Sequence, residues 1–320
     1  MSKDGERKVL FIGGTAYSGS TLMNLLISND PNGFSCGEVH ALVQPYLPYH
    51  VNFRCGCGDR NCQIWRDCSE AKPRSVHLWL LNRFPNLQFL VDSSKGVSWI
   101  LPSARLVRKE GVEVKHLLIW KSPAEFLASR MKRGETKRWA SAWLDYHRFY
   151  LSAFPECASV RYQDLVENPE TLKSVCKWLD IEYFDSKVQY WEKEQHTLFG
   201  NSSAKIHLYS EGSDIYKRLD QELGRLDKKS NAGEISHKSV RYEEVSSAQV
   251  ANHSTKRQQL LFEEVLGRIV SRDVSRLVMN SSAQDRSRYV WGWTLPRYIY
   301  QTAMRNLRTR LFRLTYRQQD

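Results

Sequence analysis

The 320-residue sequence has no apolar run approaching the ~18 residues that a membrane-crossing helix needs. Its start, Met1 to Lys8, is polar, and the apolar run that follows, Val9 to Ile12, is too short for the hydrophobic region of a signal peptide. Internal repeats are lacking. Cysteine is present in an odd number, seven, which fits a reducing compartment better than a disulfide framework. Together these lead to the expectation of a soluble, cytoplasmic protein. With 41% hydrophobic, 12% aromatic and 26% charged residues, the composition also argues against bulk disorder, a collagen-like repeat or a coiled coil.

What is present is a chain long enough for one large α/β domain or two small ones, with a substantial core. Its 47 basic residues against 35 acidic ones leave a net charge of +12. Such a surplus favours an anionic partner: nucleic acid, a membrane surface or a phosphorylated small molecule. Half of it lies in residues 281–320, where eight arginines and no lysine stand against Asp285 and Asp320.

Up to about residue 180, short apolar runs alternate with helical patterns. This predicts an α/β fold with a parallel sheet. The expected strands are Lys8–Gly13, Leu87–Val91, Val114–Trp120 and Ser159–Tyr162. The expected helices are Ser20–Ser28, Arg74–Arg83, Val97–Lys109, Pro123–Met131, Glu135–Ala153 and Pro169–Asp180, with Pro123 and Pro169 suited to first-turn positions. Residues 44–70, with their Pro, Gly and Cys, read as a long loop. Residues 210–250 are polar with low periodicity and read as a variable insert or linker. Residues 255–279 look helical, and 295–318 form a basic amphipathic stretch.

The first strand runs into Gly13-Gly14-Thr15-Ala16-Tyr17-Ser18-Gly19-Ser20-Thr21-Leu22 and then an apolar helix. Strand, Gly/Ser turn and helix is the context in which backbone N–H groups wrap a phosphate. Gly14 to Gly19 followed by Ser20-Thr21 has the Walker A spacing, but Ser20 stands where that motif has the Lys that reaches the β/γ-phosphates. The substitution argues for a ligand without a γ-phosphate. It argues against a kinase or NTPase, an alternative that would use Asp92, at the end of an apolar strand, to hold magnesium. Farther along, Lys121 follows the strand Val114–Trp120, and Ser129 lies two helical turns later, placed to meet the same anion.

These two segments resemble the nucleotide motifs of sulfotransferases that use 3′-phosphoadenosine 5′-phosphosulfate (PAPS) and release the 3′,5′-bisphosphate PAP. The resemblance covers residues 8–205. It implies a P-loop NTPase-like three-layer α/β domain with a central parallel sheet flanked by helices. It further implies that Tyr17, Ser18, Gly19, Ser20, Thr21 and Leu22 form the 5′-phosphosulfate loop, while Lys121 and Ser129 bind the 3′-phosphate. Many relatives carry Arg or Lys before the Ser-Gly; here Tyr17 takes that place, as in a bacterial-type subgroup. Lys121 replaces a usual Arg and keeps its charge.

Phe89 to Lys95 resembles a segment that places a lysine beside the sulfuryl group, making Lys95 the candidate cation. Gly37-Glu38 resembles a pair facing the acceptor pocket, which makes Glu38 the first choice of general base and His40 the second. Val160 to Pro169 resembles a structural segment. His196 with Gly200-Asn201 resembles a later one, beyond which Lys205 could approach the nucleotide. No metal is required for the chemistry, since a phosphosulfate has no triphosphate to neutralise.

Cys55, Cys57, Cys62 and Cys68 could together hold structural zinc, but one, four and five intervening residues meet the usual pair spacing only in part. Cys-x-Cys-Gly with a later Cys before an aromatic, here Trp65, resembles bacterial-type sulfotransferases and implies an acceptor-side lid at 44–70. The expected organisation is a core over 1–210, an insert or linker over 211–250, helical completion over 251–280 and a basic amphipathic segment over 281–320.

The expected activity is transfer of a sulfuryl group to a hydroxyl, or less readily an amine, of a small-molecule or glycan acceptor. The basic stretch 295–318 suits an anionic membrane or acidic partner, or a terminal helix with its arginines in water. With no nucleic-acid motif beside the charge, a nucleic-acid partner is not expected. A non-enzymatic membrane- or partner-binding protein is the remaining alternative.

Overall fold

The computed structural model describes residues 7–230 and 247–279. Five strands form one parallel sheet: β1 (Lys8–Gly13), β2 (Gly33–Gly37), β3 (Phe89–Asp92), β4 (Glu113–Trp120) and β5 (Ala158–Arg161). Their spatial order is β2-β3-β1-β4-β5, so β1 lies at the centre. Val9 and Phe11 pack on one face of the sheet, Leu10 and Ile12 on the other, as the two-residue period of a strand requires. Both faces are covered, and the result is the three-layer, P-loop-like α/β architecture expected from the sequence.

Between β1 and β3 lie α1 (Ser20–Ser28), α2 (His40–Val43), α3 (Gln63–Ala71) and α4 (Val76–Arg83). Next come α5 (Val97–Lys109), α6 (Pro123–Met131) and α7 (Trp139–Ala153). After β5 follow α8 (Tyr162–Glu167), α9 (Pro169–Leu179), α10 (Ser202–Lys205), α11 (Asp214–Ser230), α12 (Ser247–Asn252), α13 (Lys256–Val270) and α14 (Val274–Met279). Pro123 opens α6 behind a capping box, in which the Ser122 hydroxyl accepts from Glu125 N and the Glu125 carboxylate accepts from Ser122 N. No helix among the described residues is long and apolar enough to cross a membrane.

The local structure differs from the sequence pattern or adds to it at four places. Residues 33–37 form a strand that the sequence pattern does not announce. Two glycines in five residues weaken its propensity, and the strand exists through its register on β3, Gly33 against Phe89 and Ser35 against Val91. The helix expected from Glu135 begins at Trp139, because Gly134 and Arg138 adopt left-handed conformations and Glu135 turns back to pair with Arg130. The loop expected over 44–70 contains the start of α3, whose Trp65 and Cys68 are buried. Residues 214–230, read as part of an insert, form α11.

The C-terminal helices join the sheet edge. Ser159 N donates to Arg272 O at 2.7 Å, and Phe262 of α13 stacks on Trp139 of α7 with ring centroids 5.5 Å apart. Part of the positive charge has a structural task at the end of α1. Lys187, fully buried, pairs with Asp30 at 3.0 Å, and Lys193 donates to the carbonyls of Ser28, Asp30 and Gly33. Cations there satisfy orphan carbonyls and complement the helix dipole. The basic segment 295–318 lies outside the described residues.

Candidate active site

In a doubly wound sheet, ligands bind beyond the carboxyl ends of the strands, where the chain reverses its direction of winding. Several residues singled out in the motifs lie there: the loop Gly14–Thr21 follows β1, Glu38 follows β2, Lys95 follows β3 and Lys121 follows β4.

The β1–α1 loop is shaped as an anion cradle. Gly19, at φ 98°, precedes α1, and no side chain caps the helix, so the first N–H groups of Ser20, Thr21 and Leu22 remain open to a ligand. The Thr15 and Ser18 hydroxyls are buried without a hydrogen-bond partner among the described residues. Buried polar groups rarely go unpaired, so a ligand with acceptor oxygens fits this loop. A Cβ at Gly14 would lie 2.3 Å from Ser18 Oγ and 2.7 Å from Ile119 O, so only glycine allows the turn. Tyr17, at φ 66°, is held in a conformation that bulky residues seldom adopt.

Lys121 and Ser129 meet, with Nζ donating to Ser129 Oγ at 3.2 Å. Both are buried. Tyr162 joins this pair to the loop: Lys121 Nζ lies 4.5 Å from its ring centroid, and a Cβ at Gly19 would strike the same ring. One residue that sequence reasoning missed is Arg133. Its guanidinium lies 3.7 Å from the Tyr17 ring centroid, and Nη1 donates to Ser129 O at 2.7 Å. A cation thus stands over the Tyr17 ring of the loop. The only sequence signal is its four-residue offset from Ser129.

At the opposite side, Lys95 donates to the Glu38 carboxylate. The two candidates for cation and base are therefore one ion pair, and both are partly accessible. Lys95 has φ 61°, a strained conformation for a non-glycine residue. Its carbonyl accepts from the Tyr146 hydroxyl at 2.9 Å, and that hydroxyl accepts from Gly14 N at 2.7 Å. Tyr146, another residue the sequence did not disclose, so connects the loop to the Lys95 segment. Glu38 is held by its backbone, whose N–H donates to Leu198 O at 2.8 Å. Below, Asn24 donates to Val91 O and Ser93 Oγ, and its own oxygen accepts from Ser35. These contacts tie α1, β2 and β3 together.

His40 lies two positions beyond Glu38, its ring centroid 6.1 Å from that of Tyr46, and is almost fully buried. Glu38 is the more accessible of the two base candidates. Lys205 ends α10 on the same side. Burial lowers its ammonium from the ordinary lysine value, with Cys55 and Glu38 pulling the other way. Tyr46, Tyr49, His50, Phe53 and Phe199 form an aromatic wall beside Glu38. His50 is pushed down to about 4 by burial, against the opposite pull of Glu38.

Both oxygens of the Asp92 carboxylate are engaged in hydrogen bonds. His77 Nε2 and Trp99 Nε1 approach Oδ2 at 2.9 and 2.8 Å, and Ser94 N donates to Oδ1 at 2.7 Å. Burial alone would raise this carboxyl, but those donors outweigh it and hold it below its ordinary value.

The cysteine loop differs from the expected ligand arrangement. Sγ of Cys55, Cys57 and Cys62 lie together with His196, while Cys68 is not one of the group and is buried on α3.

No protein-family model and no curated protein matches the chain. Among solved structures it is similar to a sulfotransferase domain from the curacin biosynthetic pathway, at 18% identity and a TM-score of 0.43, covering 68% of this chain and 98% of that one. It is also similar to the sulfotransferase domain of the Synechococcus PCC 7002 olefin synthase, at 17% identity and a TM-score of 0.46, covering 83% and 98%.

Proposed function

We propose that this chain is a sulfotransferase that moves a sulfuryl group from PAPS to a hydroxyl of a small-molecule or glycan acceptor and releases PAP. The observation that carries the proposal is the pairing of two anion positions. One is an uncapped helix start with buried, unpartnered Thr15 and Ser18 hydroxyls. The other is the buried Lys121–Ser129 pair, joined to the first through Tyr162. A nucleotide with phosphates at both ends matches that arrangement, and the absent Walker Lys removes the group that would serve a γ-phosphate.

In this reading, Gly19, Ser20 and Thr21 present N–H groups to the 5′-phosphosulfate and to the charge that builds on it. Lys121 and Ser129 hold the 3′-phosphate, with Arg133 above Tyr17 adding positive charge. Glu38 accepts the acceptor hydroxyl proton as the new S–O bond forms and the bond from sulfur to the 5′-phosphate oxygen breaks. Lys95 neutralises charge on the transferred group and the departing phosphate, turning from Glu38 as that carboxylate takes the proton. Tyr49, Phe53 and Phe199 line the acceptor side, which suits an acceptor with an apolar or ring-bearing face.

The test is calorimetric titration with PAP, followed by incubation with sulfur-labelled PAPS and a metabolite extract. Micromolar PAP binding and label transfer to a metabolite are expected. Absence of binding by both nucleotides would refute the proposal.

A further inference from the structure

Cys55, Cys57 and Cys62 come from one short loop, and His196 arrives 134 positions after Cys62. Their ligand atoms all lie within 4.8 Å of one another. His196 Nδ1 is 3.5 Å from Cys62 Sγ and 3.8 Å from Cys55 Sγ. A tetrahedral zinc with bonds of about 2.3 Å to sulfur and 2.0 Å to nitrogen has sulfur–nitrogen edges of about 3.5 Å, so these separations suit one ion among them.

The surroundings orient the ligands as a metal site requires. His196 Nε2 lies 3.5 Å from the Glu194 carboxylate, and Nδ1 is the ring nitrogen that faces the sulfurs. The imidazole stacks on Phe34 at an interplanar angle of 11°, and the His196 carbonyl accepts from Trp65 Nε1 at 2.7 Å. Gly56 N donates to Thr197 O at 2.9 Å, and a Cβ at Gly56 would lie 2.5 Å from Gln195 O. The loop and the histidine segment are therefore already in backbone contact. Cys57 is only partly buried, which leaves a route for the ion.

We propose that Cys55, Cys57, Cys62 and His196 bind a structural zinc ion. Four protein ligands close the coordination sphere, so the ion holds structure rather than binding a substrate. Binding releases the thiol protons to solvent, and the metal–thiolate bonds fasten the 55–62 loop to the 196–201 segment. That segment reaches the phosphate loop, because Asn201 N donates to Thr21 Oγ1 at 2.9 Å, and it reaches the candidate base, because Leu198 O accepts from Glu38 N at 2.8 Å. Zinc would thereby fix the acceptor wall to both halves of the site. The inference stands on the ligand geometry and does not depend on the transferred group.

The experiment is elemental analysis of protein purified under reducing conditions, with intact mass and cobalt substitution on the same preparation. One zinc per chain is expected, with near-complete loss in Cys62→Ser and His196→Ala and retention in Cys68→Ser. The cobalt form of the unmodified chain should show the intense visible bands of a tetrahedral thiolate site, so the conclusion does not rely on variants that fail to fold. A chelator should release the zinc and lower the thermal midpoint. Sub-stoichiometric zinc, iron in its place, a mass two hydrogens short from a disulfide, or zinc lost equally in Cys68→Ser would each overturn the proposal.

Discussion

Lys95 Nζ is hydrogen-bonded to a Glu38 carboxylate oxygen across 57 positions of sequence, and the two side chains are 18% and 23% exposed. The pair closes the strand ends opposite Lys121.

Glu38→Gln keeps the shape and removes the proposed proton acceptor. Turnover is expected to fall about 10²–10⁴-fold, the range of general-base contributions, with PAP affinity within a few fold of the parent. Single-turnover label transfer and PAP calorimetry check this. Turnover near that of the parent would move the role to His40 or elsewhere.

Lys121→Ala removes a buried cation from the proposed 3′-phosphate position. A charge-assisted hydrogen bond contributes about 1.5–3 kcal/mol, so PAP affinity should fall about 10- to 100-fold. Lys121→Arg should recover part of it. Adenosine 5′-phosphosulfate, which lacks the 3′-phosphate, should bind the parent and Lys121→Ala alike. Equal losses for both nucleotides would show that Lys121 supports the fold instead.

Gly37→Ala tests how the Glu38 segment is placed. Gly37 has φ 61°, and a Cβ there would lie 2.0 Å from Leu198 O and 2.5 Å from Leu198 N. Backbone surrounds the site on that side, so the clash cannot be relieved by a rotamer. Strain of this kind costs at least about 1–3 kcal/mol, and a fall of several degrees in the thermal midpoint is expected. An unchanged midpoint would contradict the packing of Gly37 on Leu198.

Acid should destabilise the fold well above the carboxylate range. Burial lowers His50 and His147 to about 4, against the raising effects of Glu38 and of the Trp143 carbonyl respectively. Burial and the Arg108 guanidinium lower His116 to about 3. The unfolded chain takes up these protons near the ordinary histidine value of 6.5, whereas the folded chain refuses them until about 4 or below. Unfolding therefore binds protons between those limits, and stability falls as pH drops from about 6.5 to 4. Urea unfolding at pH 7, 5.5 and 4.5 should show a slope approaching three protons, and His116→Phe should remove about one. A flat profile would contradict neutral burial.

Much of the candidate site around β1 and β4 was legible in contiguous residues. The Gly14–Gly19 turn, the apolar run of α1 and the Pro123 helix start are local signals, and Lys121 and Ser129 could be paired because eight residues of helix have a known geometry. The 33–37 strand was not legible, since its glycine-rich sequence becomes a strand only against β3. Nor was His196 as a partner of the cysteines: the four-cysteine reading included Cys68, although five residues separate it from Cys62. Arg133 over Tyr17 has only its four-residue offset from Ser129 as a signal, and Tyr146 between Gly14 and Lys95 has no motif signal.

By itself, then, the sequence determined the α/β class, the glycine-serine turn between β1 and α1 and the absence of a Walker lysine, because each is encoded within a few adjacent residues. Only the tertiary structure decided which distant groups share a site: Glu38 with Lys95, Arg133 with Tyr17, and His196 with three cysteines. Strand order and the crossings between strands set those meetings, and sequence spacing does not encode how far apart in the chain two neighbours across a parallel sheet will be.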